Sequence, residues 1–311
     1  MVKLSPELLQ ETPFNSTKAS SHVNQPRAEI QIGIQTVQRL LSKQYPALAD
    51  LPITLVDEGW DNVTFLLGTE YAVRLPRREL AVPLLLHEQQ WLPELAARLP
   101  LEVPLPIHLG QPDSNFPWSW SIVRWIPGTT ADAHDFSAAD VRFLATTLQA
   151  LHQPASSDAP ENPFRGIPLH TRHQGVTERL ARQRNHPEVD APRLAALWEE
   201  LCSTPASTDR VWLHGDLHPR NIIIRDGTLI GIIDWGDLNG GDAATDLACA
   251  WLLLDTAGKR QEFFTLYNAE PAQIRRAQGW ALHIGLTLHD SNEPRHVPLG
   301  LTTLQRVLED A

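Results

Sequence analysis

Residues 212–237, WLHGDLHPRNIIIRDGTLIGIIDWGD, constrain the fold of this 311-residue chain more than any other stretch. Two isoleucine-rich runs flank Asp226-Gly227, a pair favoured in the two-residue turns of β-hairpins. A hairpin brings its end back to its start. Asp234, which closes the second run, therefore returns beside Asn221, which opens the first. Polar side chains crowded between buried strands need a shared task, and a carboxylamide next to a carboxylate offers hard oxygen donors to one cation.

The rest of the chain is organised around that hairpin. Residues 1–27 are polar and aperiodic and read as a tail or accessory segment. Residues 28–49 carry Ile30, Ile34, Val37, Leu40 and Leu41 at helical spacing. ITLVDEGWDN, VTFLLGTE and YAVRLPRR follow as three short β-rich runs, an antiparallel meander. Pro83 then opens a helix that Pro93 should bend. Strands around PLPIHLG and WSWSIVRWI end at Pro127-Gly128. Beyond that point the pattern turns helical, beginning with Ser137 as N-cap and Asp140 three residues on. An ordered surface loop is expected over 153–175, and helices over 176–184, 191–202, 243–256, 259–268, 271–289 and 298–309. The division is thus a β-rich part, 28–126, and a mostly helical part, 127–311.

Composition narrows the partners. With 26 Lys and Arg against 37 Asp and Glu, the net charge of −11 repels a nucleic-acid backbone on average. The apolar runs fall short of the roughly 20 residues that span a bilayer, and the N-terminus lacks an apolar h-region, so no membrane and a cytoplasmic location are expected. Cysteine is limited to Cys202 and Cys249, the latter inside DLACAWLLL, which gives no sign of an oxidising compartment. The sequence carries no indication of oligomeric state.

His214, Asp216 and Asn221 are spaced H-x-D-x-x-x-x-N, and Asp234-Trp235-Gly236 reads D-x-G. In kinases the Asp of the first motif meets the acceptor hydroxyl, while its Asn and the Asp of D-x-G hold Mg²⁺ on the nucleotide phosphates. Two other readings use the same residues. His214, Asp216 and His218 could ligate Zn²⁺ or a metal pair in a hydrolase, and a nucleotide-binding module without catalysis would keep the motifs but not the turnover.

HGDLHPRN followed by IDWGD resembles the aminoglycoside and macrolide phosphotransferase family, small-molecule kinases with a protein-kinase-like fold. GWDN, VRLPRRE, RWIPG and GDAATDLA are similar to family segments in the same order. The resemblance implies an α+β, two-lobed protein-kinase-like fold, Mg²⁺ with ATP or GTP as phosphoryl donor, and a small-molecule hydroxyl as acceptor, most of all an antibiotic such as an aminoglycoside or macrolide. A housekeeping metabolite kinase is the alternative within the family. Carried over by position, Asp216 is the catalytic residue, and Asn221 and Asp234 are the metal ligands. His214 is a brace for the loop. Arg74 stands where kinases place a phosphate-gripping Lys, with Glu88 as its partner and Glu79 as a less suitable one. Arg124 to Ile126 form the purine-reading hinge. No G-x-G-x-x-G is present, and DEGWDN at 57–62 would cover the phosphates instead. Asp246, at the start of a helix, reads as a carboxylate favoured by the helix dipole. Asp237 and Trp280 are the candidate acceptor-binding residues. Asp242, Asp255 and Glu262 are further carboxylates for a polycation, and Trp251, His283 and His289 share the C-terminal helices with Trp280.

Overall fold

The computed structural model describes residues 27–291 and 293–311, so all but Arg27 of the expected tail lies outside the described residues. Helix α1 (Ile34–Gln44) buries Val37, Leu40 and Leu41, the stripe read from the sequence. Strands β1 (Ile53–Glu58), β2 (Asn62–Leu67) and β3 (Tyr71–Pro76) form the antiparallel meander. Helix α2 (Val82–Ala96) holds Pro83 in its first turn, where a missing N–H costs nothing, and continues through Pro93. Strands β4 (Pro106–Gly110) and β5 (Trp120–Arg124) complete a five-stranded sheet of order β1-β2-β3-β5-β4. After the short β6 (Thr129–Thr130) come α3 (Ala138–Leu151), α4 (His173–Arg182), α5 (Ala191–Cys202) and β7 (Val211–Leu213). The hairpin is β8 (Ile222–Arg225) and β9 (Thr228–Ile232). Strand β10 (Asn239–Gly241) precedes α6 (Ala244–Leu247), α7 (Cys249–Leu253), α8 (Ala257–Tyr267), α9 (Pro271–His289) and α10 (His296–Glu309).

The chain divides into two compact units, residues 27–134 with Arg220–Gly236, and Asp135–Pro219 with Asp237–Ala311. By its contacts the first unit runs on to His134 and takes in the hairpin. Pairing explains both features. Thr129 and Thr130 bond to β8, and Glu102 bridges to Gly231 of β9, so the hairpin extends contacts made by the first unit. The core of that unit packs Val37 and Leu40 of α1 against Phe65, Val73, Trp120 and Ile122 of the sheet, and a smaller cluster joins Ile126, Ile223 and Ile233.

The second unit is mostly helical. Its first helix begins with a capping box, Asp140 N–H to Ser137 Oγ at 3.2 Å and Ser137 N–H to Asp140 Oδ2 at 2.9 Å. The expected 153–175 loop ends early in a tight turn, Leu169–Arg172, so α4 starts at His173. The helix expected over 243–256 is two short ones, because i to i−3 bonds such as Asp246 N–H to Ala243 C=O tighten the first and Leu254 is extended. Among the described residues no helix is long and apolar enough to cross a membrane.

Candidate functional site

In the first unit, the turn residues Asp226 and Gly227 both have positive φ, 53° and 74°, as a tight hairpin turn requires. Ile222 then pairs with Ile232, and the Ile233 N–H donates to the Asn221 C=O at 2.9 Å. That register sets Asn221 next to Asp234. Asp234 has φ 66°, uncommon outside glycine, and its Oδ1 accepts from Arg74 Nη2 at 3.0 Å. Arg74 lies mid-strand on β3, opposite Thr64 and Ser121, and its Nη1 meets both Glu88 oxygens at 2.5 Å. Glu79, the other partner considered, is exposed in the turn before α2.

Arg74 and Glu88 are 2% and 1% exposed. Burial works against the Arg74 charge, but Glu88 and Asp234 outweigh it and hold the guanidinium above its ordinary pKa. Burial lifts the Glu88 carboxyl above its ordinary pKa, and the charge and hydrogen bonds of Arg74 work against that rise. Arg74 Nε is buried without a hydrogen-bond partner. Ala72, Val123, Arg124 and Trp125 wall a small cleft with Arg74 and Asp234 among its polar lining. The expected hinge is only partly in this cleft. The Arg124 N–H is used by the Leu105 C=O at 3.0 Å and the Trp125 N–H by the Glu70 C=O at 2.8 Å. Ile126 packs with Ile223 and Ile233, so its side chain is core and does not line the cleft. The reason is register: bonding on the β4 side runs on to Leu105 and on the β3 side to Glu70, and together they consume the N–H groups of Arg124 and Trp125.

In the second unit, the loop after β7 is held from behind. The His214 and Gly215 N–H groups donate to Asp246 at 2.7 and 2.8 Å, and His152 Nε2 meets the same carboxylate at 3.1 Å. Asp246 is therefore more than the helix-dipole carboxylate expected. It opens α6, yet both its oxygens are committed to the loop that carries Asp216. Gly215 has φ 86°, and a Cβ there would lie 2.6 Å from the Asp237 carbonyl oxygen, so the loop needs glycine. His214 Nδ1 accepts the Asp216 N–H at 3.2 Å, a bracing contact. Asp216 meets Arg165 Nη2 at 3.2 Å and His218 Nε2 at 3.3 Å. Burial would raise its pKa, but His218 and Arg165 outweigh burial and hold the carboxyl well below the usual range. A carboxylate so poised stays ionised and can accept a hydroxyl hydrogen bond. The sequence reading did not single out Arg165. It stands alone in a loop, NPFRG, with no spacing to mark it.

The expected acceptor residues fare differently. Trp280 is fully buried and does not reach a pocket, because α9 is enclosed along most of its length. Trp251 is also buried and donates to Asp310 at 2.9 Å. Asp237 accepts from Asn162 Nδ2 at 2.7 Å, while Asp242 is buried in an ion pair with Arg276 at 2.6 Å and Asp255 pairs with Lys259 at 2.8 Å. Asp242 and Asp255 are thus held in ion pairs, whereas Asp237 accepts from a neutral amide. Glu262 is half-buried on α8, and His289 is buried in edge contact with His186. His283 is 7% exposed, touches Trp280 edge-on, and has a buried Nδ1 without a partner.

Among the described residues no three His, Cys, Asp or Glu side chains converge as a metal-ligand set. His214 is turned to its own loop, which leaves the hydrolase reading without a third ligand. Asn221 and Asp234, brought near each other by the hairpin, carry oxygens of the kind that suits Mg²⁺, whose remaining positions water and phosphate supply.

Comparison with known proteins bears on the same residues. The sequence pattern of the phosphotransferase enzyme family (APH) matches residues 52–281. An aminoglycoside 3'-phosphotransferase of Escherichia coli is 27% identical over 172 residues, 51% of this chain and 62% of that one. One from Streptomyces fradiae is 29% identical over 158 residues, 48% and 58% of the two chains. The match thus spans about three fifths of the length of these curated relatives. Among solved structures, the GDP and kanamycin complex of APH(2")-IIia superposes with TM-score 0.68 at 17% identity, covering 88% of this chain and 98% of that one. The apoenzyme of macrolide 2'-phosphotransferase MphH from Brachybacterium faecium does so with TM-score 0.61 at 19% identity, covering 87% and 97%. These likenesses establish a kinase-like α+β fold with a β-sheet part and a helical part. Because the family pattern runs unbroken from β1 into α9 and takes in Arg74, Glu88, Asp216, Asn221 and Asp234, the chain belongs to the phosphotransferase enzyme family.

Proposed function

We propose that this protein transfers the γ-phosphoryl group of a Mg-nucleotide to a hydroxyl of a small molecule. The observation that carries the reading is the buried Arg74, fixed by Glu88 and Asp234 yet with its Nε unpartnered at the polar end of an apolar-walled cleft. A nucleotide fits this arrangement. The base takes the apolar wall, and a phosphate oxygen supplies the acceptor that Nε lacks. Asn221 and Asp234 would hold Mg²⁺, which neutralises phosphate charge when bound. Asp216 orients the acceptor hydroxyl and takes its proton as the new ester bond forms. His218 and Arg165 keep it ionised for that step.

ATP and GTP both remain as donors, since a GDP complex and a streptomycin-ATP ternary complex occur among the structural neighbours. The relatives are named for aminoglycosides and macrolides, which supports an antibiotic hydroxyl as the acceptor. A cytoplasmic location, where Mg-nucleotide is available, belongs to the same proposal, and Cys202 and Cys249 are both unbridged. The net charge of −11 supports a small-molecule partner over a nucleic acid.

The test is a panel of hydroxylated compounds incubated with Mg-ATP or Mg-GTP and read by mass spectrometry for an added phosphoryl group. Phosphorylation that disappears in Asp216→Ala, while that variant still binds nucleotide, is the expected result. Lack of nucleotide binding by the intact chain would overturn the reading.

A further inference from the structure

The surroundings of Asp216 in the second unit are cationic. Arg165 touches its carboxylate; Arg165 and Arg179 both act electrostatically on Arg172, and all three arginines act on His283. Arg179 shares Asp290 with Arg182, which holds that carboxylate at 2.5 Å while Arg179 Nε is 3.9 Å away. Arg172 has no carboxylate partner among the described residues. Its contacts are the Pro163 carbonyl at 2.5 Å and the face of Phe164 at 5.7 Å. A half-buried guanidinium beside two others, with no counter-ion, is costly unless a ligand supplies one.

Three further features converge there. The Nε atoms of Arg165, Arg172 and Arg179 are buried without hydrogen-bond partners. His283, more than nine-tenths buried, leaves its Nδ1 unpartnered in the same cluster, and burial followed by the three arginines drives its pKa down to about 3. The ring is therefore neutral at pH 7 and adds no compensating charge. Phe164 is 61% exposed and offers a flat apolar face beside Arg172.

We propose that the acceptor is a small hydroxylated molecule bearing an anionic group, a carboxylate or phosphate, which Arg172 holds with Arg165 and Arg179 while Phe164 supports its body and Asp216 receives its hydroxyl. This rests on the phosphotransferase reading and turns its acceptor away from the aminoglycosides for which the curated relatives are named. A polycationic aminoglycoside would face like charge at short range; of the carboxylates considered for it, Asp242 is paired with Arg276 and Asp255 with Lys259, and Asp237 acts on Arg165 itself.

Calorimetry on the full chain tests it. The protein is first titrated with a non-hydrolysable Mg-nucleotide, which fills the nucleotide cleft. Failure at this step counts against the phosphotransferase reading and leaves the second titration to judge the anion site alone. The second titration uses four probes that share a phenol ring: 4-hydroxyphenylacetate, 4-hydroxybenzylphosphonate, tyramine and the neutral alcohol tyrosol. At least one anionic probe should bind at least about tenfold tighter than tyramine, and the carboxylate and phosphonate arms show which anion is preferred. Arg172→Gln should erase that preference and Arg172→Glu should reverse it, with nucleotide titration of each variant as the control for folding. Tyramine binding as tightly as both anions, an anion preference that survives Arg172→Glu, or no measurable binding of any probe would each overturn the proposal.

Discussion

Replacing Asp246 tests whether the loop bearing Asp216 is held from behind. Asp246 is fully buried and takes hydrogen bonds from the His214 and Gly215 backbone and from His152. Asp246→Ala leaves two backbone donors without an acceptor in a site closed to water. At about 1–3 kcal/mol for each buried unsatisfied donor, the two together cost about 2–6 kcal/mol. That is a large share of the 5–15 kcal/mol that typically separates folded from unfolded domains, roughly speaking. Asp246→Asn keeps the volume and one acceptor oxygen but turns an NH₂ toward the other donor, for a loss of about 1–3 kcal/mol. Urea unfolding followed by tryptophan fluorescence measures both, with an unchanged slope confirming that the transition itself is the same. In the milder Asn variant, assayed where it is folded, phosphoryl transfer should fall while nucleotide affinity holds. Unfolding midpoints equal to wild type for both variants would refute the reasoning, because the three bonds would then be contributing nothing.

Arg74→Ala should raise KM for the nucleotide and lower kcat, and Arg74→Lys should recover only part of the loss, since a single ammonium cannot reproduce the two nitrogens that serve Glu88 through Nη1 and Asp234 through Nη2; full activity of the Ala variant would move phosphate binding to another cation. Asp234→Asn and Asn221→Ala should weaken Mg-nucleotide binding and turnover together, seen as a higher Mg²⁺ requirement, and unchanged Mg²⁺ dependence in both would place the metal elsewhere. His283, with its pKa lowered from 6.5 to about 3, stays neutral in the folded chain while the unfolded ring takes up a proton. Its contribution is therefore complete above the unfolded value and is lost as pH falls toward the folded one, at a slope of at most about 1.4 kcal/mol per pH unit. Urea midpoints measured between pH 7 and 4 should show that decline, and His283→Gln should flatten it.

Much of the site was legible because it is local in sequence. The turn pair Asp226-Gly227 starts the hairpin, and a one-residue register shift between Ile223 and Ile224, not legible in the sequence, then sets Asn221 against Ile233 and so next to Asp234. Arg74 and Glu88 were legible for a similar reason, a strand followed at once by a helix. Trp280 shows the limit of such reading, since helical spacing tells that a tryptophan faces inward but not whether a pocket or the core awaits it. Asp246 was legible in position but misjudged in role. Its partners lie 31 and 32 residues away, beyond any periodic pattern.

The sequence by itself determined the elements, the two motifs and the family, because hydrophobic period, turn chemistry and fixed spacings are properties of neighbouring residues. Only the tertiary structure decided which charges meet. Whether Asp242 is free to bind a substrate depends on Arg276 of α9, and whether Arg172 keeps a counter-ion depends on where three separate segments come to rest. Electrostatic energy depends on distance and burial in space, and neither is written in the spacing of residues along the chain.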